Sequence, residues 1–129
     1  MNGRYLLDTN IVIAFFNGDS EVATRIESTP EIFLSSTALG ELFYGAANSG
    51  RPEENAARVR RFAATCGVLE VSAETSELYG TIKGRLRKLG RPIPENDLWI
   101  AAAAIQHRLV LVSRDRHFEM IPDLEIEHW

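Results

Sequence analysis

The stretch Tyr5-Leu6-Leu7-Asp8-Thr9-Asn10-Ile11-Val12-Ile13-Ala14-Phe15-Phe16 joins two apolar runs through a carboxylate, a hydroxyl and an amide. Arg4–Leu7 reads as a buried strand, and residues 11–16 as a short helix stopped near Asn17-Gly18. Asp8 therefore stands where a strand hands over to a helix. In open α/β sheets ligands collect outside the carboxyl ends of parallel strands, so an acid at this junction stands where chemistry is usually done. The same Asp-Thr-Asn also suits an ordinary helix cap, and the choice depends on whether other acids reach comparable positions.

Outward from that junction, strand and helix patterns alternate. A helix is expected over residues 21–28, closed by Pro30, and then a strand over residues 31–34. Ser35-Ser36-Thr37 supplies caps for a helix on which Ala38, Leu39, Leu42, Phe43 and Ala46 recur at helical spacing up to Asn48-Ser49-Gly50. After a loop at Arg51-Pro52 come a helix over 53–64, a strand over 68–71, and a Ser72-capped helix with Leu78, Ile82, Leu86 and Leu89 along one stripe. Asn96 is expected to cap a helix over 97–107, whose Ala101-Ala102-Ala103-Ala104 run allows close packing. Residues 109–112 follow as a buried parallel strand and 124–127 as an edge strand. The pattern predicts a single domain over residues 1–129, an α/β three-layer sandwich with a mainly parallel sheet flanked by helices.

At 129 residues, 45% hydrophobic and 25% charged, the chain has the size and balance of one globular domain with its own core. Apolar stretches such as 98–105 fall far short of a membrane span, and no basic segment precedes a signal-type core, so a soluble cytoplasmic protein is expected. A lone cysteine, Cys66, excludes an internal disulfide and reads as a small core residue. His107, His117 and His128 are dispersed, none with a second His or Cys at metal-ligand spacing, which speaks against zinc. A net charge of −4 argues against broad affinity for nucleic acid. Yet residues 83–91 read Lys-Gly-Arg-Leu-Arg-Lys-Leu-Gly-Arg, with no acid, and Arg58, Arg60 and Arg61 form a smaller cluster. By residue type alone these are solvated helix faces.

Three further acids fall at positions like that of Asp8. Glu41 lies one turn into a helix that follows a strand, among Leu39, Leu42 and Phe43, where an unpaired carboxylate is costly to bury. Asp97 opens a helix in Pro94-Glu95-Asn96-Asp97-Leu98-Trp99, and a small change of register would bring Glu95 or Asn96 forward instead. Asp115 follows a strand in Ser113-Arg114-Asp115. In a parallel sheet these strand ends and helix starts share one edge, so Asp8, Glu41, Asp97 and Asp115 are expected to converge. Converging carboxylates repel, and a divalent cation relieves the conflict. Ligands that are all oxygen suit a hard ion such as Mg²⁺ or Mn²⁺ and leave positions for water and a substrate phosphate. Such a site supports metal-assisted hydrolysis of a phosphodiester. Taken singly, each acid also reads as a cap, a turn residue or a surface charge. Thr9 and Asn10 read either as a cap pair or as supports for Asp8, and Ser113 as a turn hydroxyl or a neighbour of the metal site.

Leu6-Leu7-Asp8-Thr9-Asn10, Ser36-Thr37-Ala38-Leu39-Gly40-Glu41-Leu42-Phe43-Tyr44-Gly45, Asn96-Asp97-Leu98-Trp99-Ile100-Ala101-Ala102 and Leu111-Val112-Ser113-Arg114-Asp115-Arg116-His117-Phe118, in this order, resemble a PIN domain of the VapC toxin type. The resemblance implies a Mg²⁺- or Mn²⁺-dependent endoribonuclease, the toxin of a type II toxin–antitoxin pair, inhibited by a VapB-type antitoxin and dimeric. A homodimer would also be favoured by an apolar, Ala-rich surface. By position, Asp8, Glu41 and Asp97 match the family's central acids and Asp115 its more variable fourth. With RNA as substrate, Lys83, Arg85, Arg87, Lys88 and Arg91 become candidates for phosphate contacts. The apolar helices near 39–46 and 53–64 become candidates for an antitoxin groove.

Two other classes fit parts of the pattern. A phosphorelay receiver has a similar length and acids at strand ends, but needs an acidic pair at the first strand, an acceptor Asp at a middle strand and a late Lys. Here Asp8 is alone, Val68-Leu69-Glu70-Val71 offers no Asp, and no Lys follows Lys88. A catalytically silent PIN-like module that only binds RNA or protein has no need of acids at all four positions.

Overall fold

The computed structural model describes residues 3–129. Its strands are β1 (Arg4–Leu7), β2 (Glu31–Ser35), β3 (Gly67–Leu69), β4 (Val110–Val112) and β5 (Ile126–Glu127). They form one sheet in the order β3-β2-β1-β4-β5, every pair parallel. The helices are α1 (Thr9–Phe16), α2 (Ser20–Ser28), α3 (Ser36–Ala47), α4 (Pro52–Ala63), α5 (Ala73–Lys88) and α6 (Glu95–Gln106), with a short 3-10 helix at Arg116–Met120. Among the described residues no helix is long and apolar enough to cross a membrane.

Strand alternation generates the layers, because successive side chains leave opposite faces of a sheet. Leu6 and Leu111 pack with Ile82 and Leu86 of α5 and with Leu98 and the Ala101-to-Ala104 run of α6. Leu7, Leu34 and Val112 pack the other way, with Ile11 and Val12 of α1, Val22 of α2, and Val59 and Phe62 of α4. Helix α3 contributes to both cores, with Ala38 to the first and Leu42 to the second. The result is the expected α/β sandwich. Loss of a fully buried leucine such as Leu111 would cost about 2–5 kcal/mol, a large part of a small domain's stability. The four alanines are at most 5% exposed, so a dimer surface would lie elsewhere.

Local capping fixes where the helices begin. Ser35 accepts from the Ala38 amide at 3.0 Å, and Ser72 and Thr75 form a capping box at the start of α5. Several expected boundaries move. The first helix starts at Thr9, directly after its Asp8 cap. Strand β3 stops at Leu69 because its partner β2 turns into α3 after Ser35, leaving Val71 unpaired and 48% exposed. A Cβ at Gly67 would lie 2.6 Å from the Phe33 ring, so any larger residue there would force that ring to move. Leu89 is the C-cap residue of α5 and is exposed, so it leaves the expected stripe. Helix α6 opens at Glu95 with Pro94 as its N-cap residue, which puts Asn96 inside the first turn and removes its expected capping role. Glu95 is drawn to Lys83 and Tyr79 of α5, which secures that earlier start.

Candidate active site

The strand order reverses direction around β1, so the crevice outside the carboxyl ends of β1 and β4 is the topological switch point. The Asp8 amide donates to the Val112 carbonyl at 2.9 Å, tying the two strand ends together. Asp8 itself is 5% exposed, with Oδ1 accepting from the Thr9 amide at 2.8 Å and Oδ2 from the Ser113 hydroxyl at 2.7 Å. It is the cap of α1 and a member of the acidic cluster at once. The two readings of Asp8 were never exclusive, because one carboxylate oxygen suffices for the cap.

The other acids arrive from three elements. Glu41 projects from the second turn of α3, half-buried, and its Oε1 accepts from Thr9 Oγ1 at 2.7 Å. Asp97 stands in the first turn of α6. Asp115 caps the 3-10 helix by accepting from the His117 amide at 2.9 Å. The supporting residues form one network: fully buried Ser113 also accepts from Asn10 Nδ2 at 3.4 Å and from the Asp115 amide at 3.0 Å. Asn10 Oδ1 in turn accepts from the Arg114 amide at 3.3 Å. His128 Nδ1 lies 2.6 Å from the Ser113 carbonyl, which can only accept, so the imidazole donates and holds this loop from outside.

The electrostatics report the convergence directly. The Asp97 carboxyl is pushed up to about 6, chiefly by burial and then by the negative charges of Asp8, Asp115 and Glu41. Burial also raises Asp8, partly offset by the hydrogen bonds from Ser113 and the Thr9 amide. Burial and like charge thus both oppose ionisation of Asp8 and Asp97 in the absence of a counter-charge. This donor set fits a divalent cation, whose positive charge would favour the ionised forms of Asp8 and Asp97.

One neighbour has no counterpart in the sequence reading. His117 Nδ1 lies 2.9 Å from an Asp115 oxygen and 3.7 Å from Asp97 Oδ2. The site is therefore not lined by oxygen alone. A search for His or Cys partners misses it, because its partners are carboxylates. The signal that was available is the Asp-x-His spacing of Asp115 and His117, which a tight turn brings together. Glu95, by contrast, faces Lys83 and Tyr79 rather than the acids, and Asn96 is exposed.

The basic run lies on α5, whose last turns adjoin the start of α6. Lys83 sits 3.1 Å from Glu95, and Arg85 sits 3.6 Å from Asp123. Arg87, Lys88 and Arg91 are exposed. Exposed ion pairs of this kind are worth about 0–1 kcal/mol, so a phosphate can compete for Lys83 and Arg85. On the other side of Glu41, helices α1, α3 and α4 enclose a cleft of about 320 Å³ lined by Ile13, Phe16, Leu42 and Val59, with Arg58 beside it.

A model of the family described as PIN domain matches residues 5–124. The chain belongs to the PIN-domain family. Ribonuclease VapC2 of Haemophilus influenzae is 37% identical over 129 residues, covering 98% of each chain. The tRNA(fMet)-specific endonuclease VapC of Shigella flexneri is 34% identical, again over 98% of each. The DNA-bound VapBC structure from Salmonella typhimurium contains a chain that superposes with a TM-score of 0.92 at 34% identity, covering 100% of this chain and 99% of that one. Membership in the VapC-type branch of the PIN-domain family agrees with the resemblance carried by the four sequence fragments. The strand order also separates this PIN domain from a phosphorelay receiver, whose doubly wound sheet runs 2-1-3-4-5.

Proposed function

We propose that this PIN-domain chain is an endoribonuclease that hydrolyses RNA phosphodiester bonds with Mg²⁺ or Mn²⁺, and that it acts as the toxin of a VapBC-type pair. The observation that carries the reading is the gathering of Asp8, Glu41, Asp97 and Asp115 at one sheet edge, where burial first and then the charges of the other three acids raise Asp97 to about 6. Relatives of matching length named as VapC ribonucleases, and VapBC assemblies as structural neighbours, support the choice of RNA and of a VapB-type antitoxin.

When bound, the cation would supply positive charge for the four carboxylates and the Lewis acidity that activates water for attack on phosphorus. The chain's own residues set the geometry. Asp8, Asp97, Glu41 and Asp115 would hold the ion, Thr9 fixes the rotamer of Glu41, and Ser113 and Asn10 fix Asp8 and the loop that carries Asp115. No side chain needs to act as a covalent nucleophile. Arg87 and Lys88, with Lys83 and Arg85 when released from their acids, would meet RNA phosphates beside the cleft. The apolar cleft between α1, α3 and α4 suits an amphipathic antitoxin segment laid against the site from the Glu41 side.

The test uses protein freed of antitoxin and incubated with RNA and Mg²⁺ or Mn²⁺. Cleavage is expected, and EDTA or Asp8→Asn should abolish it. Cleavage that persists under both would mark a contaminating nuclease, and a chain that binds RNA without cutting it would be the silent module instead.

A further inference from the structure

His107, His117 and His128 have no metal-ligand spacing among themselves, yet the fold gives His117 two carboxylate partners. We propose that Nδ1 of His117 is a nitrogen donor to the metal centre, and that it tilts this site toward Mn²⁺ and away from Mg²⁺. The inference rests on the metal-dependent reading given above and adds a ligand and a selectivity to it.

The geometry is that of donors around a single ion. One ligand atom from each of Asp97, Asp115 and His117 can be chosen so that all three lie within 4.8 Å of one another. With metal–ligand bonds of about 2.1 Å, adjacent donors on an octahedral ion stand about 3 Å apart and opposite donors about 4.2 Å. The observed separations from His117 Nδ1, 2.9 Å to Asp115 and 3.7 Å to Asp97, fall on that scale. The arrangement is also built rather than accidental. The His117 amide donates to Asp115 Oδ1 at 2.9 Å, which fixes the two residues within one turn of the 3-10 helix. The next residue, Phe118, is fully buried in the core beneath α6 and pins that turn to the body of the molecule. The imidazole is half-exposed, so an ion and its waters can reach it from solvent.

The chemistry gives the direction of selectivity. Mg²⁺ is hard, prefers oxygen and keeps its water, whereas imidazole nitrogen is a good donor to transition ions. A site of carboxylates alone would distinguish the two weakly. One nitrogen donor adds affinity for Mn²⁺ with little gain for Mg²⁺. If His117 instead only hydrogen-bonds Asp115, it would steer that acid and favour neither ion.

The experiment takes the full chain, freed of antitoxin and stripped of metal, and titrates it with Mn²⁺ and with Mg²⁺ by calorimetry. Pulsed electron paramagnetic resonance of the Mn²⁺-loaded protein then looks for coupling to ¹⁴N. The wild type is expected to show that coupling, a readout that needs no variant to fold. His117→Asn keeps an amide able to bond Asp115 but is a poor metal donor. It should lose the coupling and about tenfold or more in Mn²⁺ affinity, while Mg²⁺ affinity stays within about threefold. Absence of ¹⁴N coupling in the wild type, or equal losses for both ions in His117→Asn, overturns the nitrogen donor and leaves the carboxylate site standing. Failure of the wild type to bind either ion overturns both readings.

Discussion

At the scale of single residues, Asp97 is where the site's conflict is most visible. Below the unfolded carboxyl value of 3.8 both folded and unfolded chains hold the proton, and above about 6 both have released it. Between those limits the folded chain keeps a proton that the unfolded chain has lost, so Asp97 contributes less to stability as the pH rises through that window. In EDTA, Asp97→Asn should therefore be more stable than wild type by ~1–2 kcal/mol near neutral pH, a gap that closes near pH ~4. Urea midpoints across the pH range measure this, and a gap that stays constant with pH would contradict it. Ser113 supports a second expectation. Ser113→Ala removes the hydroxyl that donates to Asp8 at 2.7 Å and should reduce divalent-ion affinity by ~10–100-fold with a normal fold by circular dichroism. An unchanged binding isotherm would show that Asp8 is held without it.

Much of this was legible in the order of residues. Asp8, Glu41, Asp97 and Asp115 could be placed because a strand end or helix start is a position on a sheet edge, whatever the side chains do. Glu41 was marked by its apolar neighbours, and its partner Thr9 lay beside Asp8 in the opening motif. For His117 the Asp-x-His spacing pointed to Asp115, but nothing in the sequence pointed to Asp97. Its approach to Asp97 depends on how the 3-10 helix is pinned by Phe118, and no periodicity encodes that contact.

At the scale of elements, α5 and α6 decide how RNA could approach. Their contact places Lys83, the start of the basic run, beside the turn that carries Asp97, where the Lys83–Glu95 pair bridges the two helices. Arg87 and Lys88 are exposed, so they are the residues whose loss should register most clearly in RNA binding. Replacing both with Gln should reduce the slope of log affinity against log salt by about 1.4, the value for two single-strand phosphate contacts. An unchanged slope would return the run to a plain solvated helix face. The sequence misplaced the start of α6 for a local reason. Asn96 is a good cap by type, but Pro94 already supplies a backbone suited to that place and Glu95 finds partners on α5. The end of β3 was misplaced because apolar Val71 continues the pattern after the partner strand has run out at Ser35.

At the scale of the whole molecule, one topological feature organises the rest. The sheet reverses its strand order at β1, and the crevice this leaves is lined by the two strand ends that carry Asp8 and Ser113. Helices α3 and α6 then bring Glu41 and Asp97 to the same rim. A cation bound there would join elements from both cores, so it should stabilise the entire fold. Saturating Mn²⁺ at about 100 times its dissociation constant is expected to add about 2.7 kcal/mol, read as a raised melting temperature that Asp97→Asn fails to show. The most direct test of the central claim is the single-turnover rate of RNA cleavage at saturating Mn²⁺, compared between wild type and Asp97→Asn. A rate at least ~100-fold slower in the variant is expected. A variant that cuts as fast as wild type would contradict a metal-dependent site built on these acids.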